Sequence, residues 1–244
     1  VIRLVTLDFW QTLFADTQDG LHRAHGLRLE GVRVGLAEAG RLYSSAELTT
    51  ADTRAGEAFD AVWREQRDLA PEEQLRVFLA TLDPELPAAL DAATLERLAR
   101  AYQEPALTHP PQLARGAAEA VAELRARGHA VGLISNTGRT PGLVLRRLLA
   151  DAGLLEQFAV LAFSDERGVR KPARAMFRWV LAAATTEPAG AVHVGDDVVA
   201  DVGGARAAGM RAIHFVPDPS TPGAAADAVL REFTELPALV ARLG

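Results

Sequence analysis

Four short segments of this 244-residue chain carry groups suited to acting on an anion. Asp8 directly follows an apolar, β-branched run at residues 1–7. An aspartate there either opens a turn or, with the backbone N–H groups of Phe9-Trp10-Gln11-Thr12 arranged around an anion, acts as a nucleophile in acyl-phosphate chemistry. Ser135-Asn136 closes the apolar run 130–134, and its hydroxyl and amide either bind a phosphate oxygen or simply make a turn. Gly195-Asp196-Asp197 closes the run 191–194, and Asp201 follows four residues later. Three carboxylates so close together repel one another unless a counter-ion separates them, and a hard divalent cation such as magnesium accepts oxygen ligands of this kind. The plainer alternative is an acidic helix start favoured by the helix dipole.

The fourth segment holds Lys171. Of the 26 basic residues, 25 are arginine, and the single lysine lies in Gly168-Val169-Arg170-Lys171-Pro172. A phosphate dianion beside Asp8 leaves negative charge to balance even with one divalent cation present. Lysine answers that with a compact charge on a flexible stem, whereas arginine presents a rigid fork. The alternative is that one lysine escaped the compositional bias by chance.

These groups need elements to hold them. Apolar, β-branched runs at 1–7, 130–134, 159–163, 191–194 and 212–215 read as buried strands. Between them, helical spacing is found at 115–127, 143–150, 172–184, 202–208 and 229–243, with Gly128 placed as a C-terminal stop and Pro172 near a helix start. Alternating strands and helices imply right-handed crossovers and a parallel sheet covered on both faces. Residues 16–104 are different: rich in Ala, Leu, Glu and Arg, with apolar residues at helical spacing and no strand signal. The expected architecture is therefore an α/β, doubly wound (Rossmann-like) parallel-sheet core at 1–15 and 105–244, with an inserted α-helical cap at 16–104. Ligands bind such sheets at the carboxyl ends of the strands, which is where all the polar clusters fall.

Composition removes several functions. The formal net charge of −6 opposes a nucleic-acid partner held by phosphate contacts. The absence of cysteine excludes disulfides, thiolate nucleophiles and Cys-ligated metal centres. No apolar stretch reaches membrane-spanning length, and residues 1–14, interrupted by Arg3 and Asp8, do not read as a signal peptide. The expected setting is the cytoplasm, with a small-molecule partner and neither nucleic acid nor membrane.

In this order, the four segments resemble the motifs of the haloacid dehalogenase-like hydrolase superfamily. Asp8 with Thr12-Leu13 is similar to its first motif, Ser135 to its second, Lys171-Pro172 to its third, and Gly195-Asp196-Asp197 with Asp201 to its fourth. The resemblance implies that Asp8 is the nucleophile. It also implies that Asp8, the backbone carbonyl of Trp10 and Asp196 hold Mg²⁺, with Asp197 or Asp201 assisting. Ser135 and Lys171 would bind the phosphoryl group together with Thr12 and Asn136, and the insert would take the place of the helical cap.

One position departs from the pattern. The phosphatases of this superfamily carry a second aspartate two residues after the nucleophile as general acid and base, and here that residue is Trp10. General acid–base help is worth about 10²–10⁴-fold in rate, so Trp10 implies a slow phosphatase or one acting on good leaving groups. His22, His25 or Asp16 are the candidate substitutes. The founding dehalogenases also carry an aromatic residue there, form an ester on the aspartate and use no metal, but their fourth motif is of Ser-Asn type. The acidic fourth segment therefore favours a magnesium-dependent phosphoryl hydrolase over a haloacid dehalogenase, with a weakly active binding protein on the same scaffold as a third reading. Within the insert, Arg23, Arg28, Arg33 and Arg41 either meet an anionic substrate or, more simply, are solvated helix charges. Phe59 and Trp63 read as packing inside the insert.

Overall fold

A computed structural model of the chain describes residues 1–223 and 225–244. In chain order it contains β1 (Leu4–Leu7), β2 (Phe14–Ala15), α1 (Gln18–Glu38), α2 (Ser45–Arg64), α3 (Pro71–Leu82), α4 (Leu86–Ala89), α5 (Ala92–Gln103), α6 (Pro105–Thr108) and β3 (Gln112–Leu113). There follow α7 (Ala117–Ala126), β4 (Ala130–Ser135), α8 (Gly142–Asp151), β5 (Val160–Phe163), α9 (Ser164–Arg167), α10 (Arg174–Ala183) and β6 (Ala191–Gly195). The chain ends with α11 (Gly204–Ala207), β7 (Arg211–Phe215), β8 (Ala228–Leu230) and α12 (Leu236–Leu243).

Six strands form one sheet in the order β5-β4-β1-β6-β7-β8, and every neighbouring pair is parallel. This is the doubly wound α/β arrangement expected from the alternating pattern. Strand β1 lies between β4 and β6, so the chain leaves it first to one side and later to the other. Such a reversal opens a crevice at the carboxyl edge, and Asp8 stands at it. The strands are apolar on both faces because helices cover both. Val5 and Leu7 pack with Val121 and Leu145 on one side, and Leu4 packs with Phe177 and Val180 on the other.

The C-terminal segment differs from the expected helix over 229–243. Residues Ala228–Leu230 form a sixth strand on β7, and helix starts only at Leu236. An apolar, partly β-branched triplet gains ladder hydrogen bonds at an open sheet edge, whereas Pro237 is favourable only in a first helical turn. The helix expected at 202–208 is likewise confined to Gly204–Ala207, after a π-helical turn at Val198–Gly203. Pro172 precedes α10 rather than opening it.

Between β2 and β3, which pair antiparallel, lies the helical insert. Its helices start on sequence-coded caps: Thr17 accepts from Gly20 N–H, Ser44 and Glu47 form a capping box, and Asp91 accepts from Thr94 N–H. Val32, Leu48, Phe59, Phe78, Leu98 and Tyr102 fill its own core. Buried Asp68 ties the insert to the sheet domain. One carboxylate oxygen accepts from Trp63 Nε1 and Leu69 N–H, and the other accepts from Ser164 Oγ (2.5 Å) and Arg170 Nη1 (3.0 Å). Among the described residues, no helix is long and apolar enough to cross a membrane.

Candidate active site

The turn after β1 places Asp8 at the crevice. Asp8 N–H still donates to Val194 on β6 (2.9 Å), after which the chain folds back on itself. Gln11 N–H donates to the Phe14 carbonyl, Phe14 N–H to the Phe9 carbonyl and Leu13 N–H to the Asp8 carbonyl. Gln11 adopts φ 56°, a left-handed conformation that non-glycine residues seldom take. Among the described residues, no backbone hydrogen bond is donated by Phe9 or Trp10 N–H, which leaves both groups unengaged in the turn after Asp8.

Lys171 is the centre of the site. Its Nζ donates to Asp8 Oδ1 and to Asp201 Oδ1, each at 2.5 Å, and its side chain is 2% exposed. Asn136 fixes its backbone: the amide nitrogen donates to the Lys171 carbonyl (3.0 Å) and the amide oxygen accepts from Lys171 N–H (2.8 Å). The Asn136 amide thus holds the lysine backbone, with one of its two N–H groups used in doing so. Ser135 ends β4 fully buried, and its hydroxyl makes only a long contact of 3.4 Å to the Asn136 carbonyl. Thr12 Oγ1 donates to Asp196 Oδ1 (3.1 Å) and so orients that carboxylate.

Asp8, Asp196 and Asp201 bring carboxylate oxygens within 4.8 Å of one another. Asp197 stands apart from this cluster. Its Oδ1 accepts from Val199 and Ala200 N–H and so starts the π-helical turn, which carries Asp201 back to the strand end. Asp201 Oδ2 accepts from Asp197 N–H (3.0 Å). Gly195 makes room for this return. A Cβ there would lie 2.2 Å from Asp201 Cγ, so Gly195→Ala should displace the carboxylate. Misplacement on that scale costs about 10²-fold in rate. The expected result is a folded protein with that loss in kcat, checked by circular dichroism alongside turnover.

Electrostatics divide the two carboxylates that share Lys171. Burial raises the Asp8 carboxyl to about 8, against the pull of Lys171 and with further repulsion from Asp201 and Asp196. Burial also opposes ionisation of Asp201, but the Lys171 ammonium and the His193 ring outweigh it and hold Asp201 well below the ordinary carboxylate range. Lys171 is raised, because the two carboxylates overcome its own burial. Asp196 is raised by burial and by Asp201.

His193 and Thr6 were not singled out from the sequence. His193 Nε2 lies 3.0 Å from Asp201 Oδ1 and Nδ1 lies 2.8 Å from Thr6 Oγ1. A carboxylate can only accept, so Nε2 donates to Asp201, while the Thr6 hydroxyl that meets Nδ1 also donates to the Val192 carbonyl (3.3 Å). Burial lowers the imidazole pKa. The available signal was a polar residue inside each of two otherwise apolar strands, since a buried polar group requires a partner.

Trp10 is half-buried, packs edge-on against Phe9 and lines a cleft of about 320 Å³ that also touches Asn136 and, from the insert, Arg28 and Trp63. Arg28 differs from its neighbours. Arg23 and Arg33 are paired with Asp19 and Glu30 on the surface, as solvated helix charges are, but Arg28 is only 7% exposed and lines this cleft. Trp63 is not confined to the packing of the insert either: it stacks under Arg170 and reaches the cleft. Of the candidate substitutes for the missing acid, Asp16 lines the cleft, His22 is exposed on α1, and His25 lies 3.5 Å from Asp52.

A model of the haloacid dehalogenase-like hydrolases matches residues 2–209. The chain is 42% identical over 93 residues to a phosphoserine phosphatase of Thermus thermophilus, covering 38% of this chain and 36% of that one. It is 36% identical over 120 residues to a ribulose-1,5-bisphosphate 5-phosphatase of Halopiger xanaduensis, covering 49% and 48%. The chain thus spans about half or less of the length of these relatives. A solved structure of a 2-haloacid dehalogenase from Pseudomonas syringae superposes over 100% of both chains with a TM-score of 0.73 and 26% identity.

Proposed function

The chain belongs to the haloacid dehalogenase-like hydrolases, and from that premise we propose that it is a magnesium-dependent phosphoryl hydrolase of small molecules working through an aspartyl phosphate on Asp8. The carrying observation is the charge balance around Lys171. Three carboxyl groups share one ammonium group, and burial with mutual repulsion raises Asp8 and Asp196, so the cluster holds its full charge only with a further cation beside it. Asp8 Oδ2 and Asp196 Oδ2 accept no hydrogen bond from the other described residues, so oxygen-only donors remain for a hard cation. Asp8 and Asp196, with Asp201 close behind, would hold the ion, and the Trp10 carbonyl is the further ligand the family pattern implies. When bound, magnesium supplies charge neutralisation for the carboxylates and the phosphoryl oxygens.

The reaction follows from the chain's own groups. An Asp8 oxygen attacks phosphorus, the bond to the ester oxygen breaks, and the alcohol leaves with the bonding pair. Lys171 and Ser135 face the transferring group, and the N–H groups of Phe9 and Trp10 offer donors to its oxygens. Water then cleaves the acyl phosphate, releasing phosphate and restoring Asp8. Trp10 cannot supply the leaving alkoxide with a proton. Asp16, at the cleft, is the side chain we assign to any residual proton transfer, and otherwise the leaving group must be good in its own right. The phosphatase names of the sequence relatives support this reading. Trp10 and the dehalogenase of similar fold favour a second reading, halide displacement through an Asp8 ester.

A parallel substrate screen separates the two. With Mg²⁺, 4-nitrophenyl phosphate should be hydrolysed and ethyl phosphate should be slower by about 10²-fold or more, because only the alkoxide needs the proton. Trp10→Asp should narrow that gap. Chloride release from 2-chloropropionate in the presence of chelator, without phosphate release from either ester, would overturn the phosphatase reading.

A further inference from the structure

We propose that Arg28 binds a second anionic group of the substrate, so that the preferred substrate is a small phosphomonoester carrying another negative charge at its far end. The proposal rests on the phosphoryl-hydrolase reading and adds what the insert selects.

Arg28 sits on α1 with nine-tenths of its surface buried. Its Nε donates to the Tyr102 carbonyl (2.7 Å), and its guanidinium carbon lies 5.5 Å from the centre of the Tyr102 ring. These contacts fix the stem and one nitrogen. The two terminal nitrogens donate no hydrogen bond within the described residues, and Arg28 forms no ion pair there. Burial lowers its pKa, the sign of a charge removed from water without full compensation.

The other two arginines of the same cleft are each paired with a carboxylate. Arg139 Nη1 donates to Asp52 (3.1 Å), and Arg170 Nη1 to Asp68 (3.0 Å), each reaching from the sheet domain to the insert. Of these three arginines, Arg28 is the one without an ion pair among the described residues, and a planar guanidinium whose terminal nitrogens are unengaged matches a carboxylate or phosphate in bidentate fashion. The cleft's other wall includes Trp10 of the turn after Asp8 and Asn136, next in sequence to Ser135, so the cleft adjoins the residues around Asp8 and can take the remainder of a molecule reacting there. Its volume of about 320 Å³ holds a small ligand and no more. Trp10 and Trp63 supply apolar walls, which strengthen an ion pair by excluding water.

The test compares phenyl phosphate, 4-carboxyphenyl phosphate and 1,4-phenylene bisphosphate, whose aryl leaving groups need no proton from the enzyme. In wild-type protein, kcat/KM for at least one of the two esters with an anionic tail should exceed that for phenyl phosphate by about 10-fold or more, the worth of a charge-assisted hydrogen bond. The carboxylate and phosphate arms show which group the fork prefers. In Arg28→Met, and separately in Arg28→Lys, the ratio should fall towards one. It is read within each variant, so a loss of folded protein cancels from it.

A wild-type ratio near one, or a ratio unchanged in both variants, overturns the proposal while leaving the phosphoryl hydrolase intact. If no phosphate is released from any ester, the function reading fails instead. Arg28 is then judged by tryptophan fluorescence titration of wild type and Arg28→Met with benzene-1,4-dicarboxylate and benzoate. Equal affinities for the two anions in wild type overturn the anion site, and tighter binding of the dicarboxylate that Arg28→Met abolishes supports it.

Discussion

Asp8→Asn is expected to reduce phosphate release by about 10³-fold or more, the scale on which loss of an attacking nucleophile is felt, and at the same time to make the protein more stable at neutral pH. The two effects have one cause. Asp8 is a carboxyl group that burial and its acidic neighbours raise to about 8. A carboxyl whose folded pKa lies above its unfolded value contributes stability below the unfolded value and loses it as the pH rises through the folded one. Between pH 4 and 8 the wild-type protein should therefore lose stability that an always-neutral asparagine does not lose. A gain of about 1 kcal/mol would raise Tm by about 2–4 °C in a chain of this length.

Asp201→Asn supplies the opposite sign. That carboxylate is held below its ordinary range, so its charge stabilises the fold above the unfolded pKa and the benefit disappears only as the pH falls through the folded one. Removing it strands donors from Lys171, His193 and Asp197 N–H, at a cost of about 1–3 kcal/mol. Thermal unfolding of both variants from pH 5 to 8, in chelator, checks the pair. Equal destabilisation by the two substitutions would show that the carboxylates are not divided as described.

Lys171→Arg is expected to lose about 10²–10³-fold in turnover, although it preserves the charge and follows the chain's own preference for arginine. The ammonium is buried, with one nitrogen at 2.5 Å from both Asp8 Oδ1 and Asp201 Oδ1. A guanidinium spreads its charge over a plane and cannot bring one atom to both oxygens without moving a strand end. Lys171→Met should lose activity similarly and should also cost about 3–5 kcal/mol, because it leaves two buried carboxylates without their cation. If the arginine variant retains wild-type kcat with a phosphate ester, the single lysine is a compositional accident and Lys171 has no special geometric role.

Much of this could be read directly from the residues. Apolar runs of strand length alternating with helical periods can bury both faces only as a covered parallel sheet. That in turn dictates that Asp8, Ser135 and Asp196 emerge at one edge. The helix stop at Gly128 was legible in the same way, since it depends on residues adjacent in sequence, and α7 does end just before it. The edge strand at Ala228–Leu230 was not, because three residues give no usable period and its hydrogen-bonding partner lies on β7.

At the site, chain order and residue type already place a carboxylate, a lone lysine and a cluster of acids at neighbouring strand ends. Their duties came from the folded arrangement. Asp197 and Asp201 are four residues apart and chemically identical. A π-helical turn uses the first as its cap and returns the second to Lys171, at a position that Gly195 leaves open. Asn136 holds the lysine backbone, and His193, not distinguished in the sequence, supports Asp201. Arg28 looked like one more solvated helix charge and is instead buried without a carboxylate partner at the cleft. The physical reason is the same in each case. Residue type fixes what a side chain can donate, accept or ionise, whereas burial and the identity of distant partners fix which of those capacities is used.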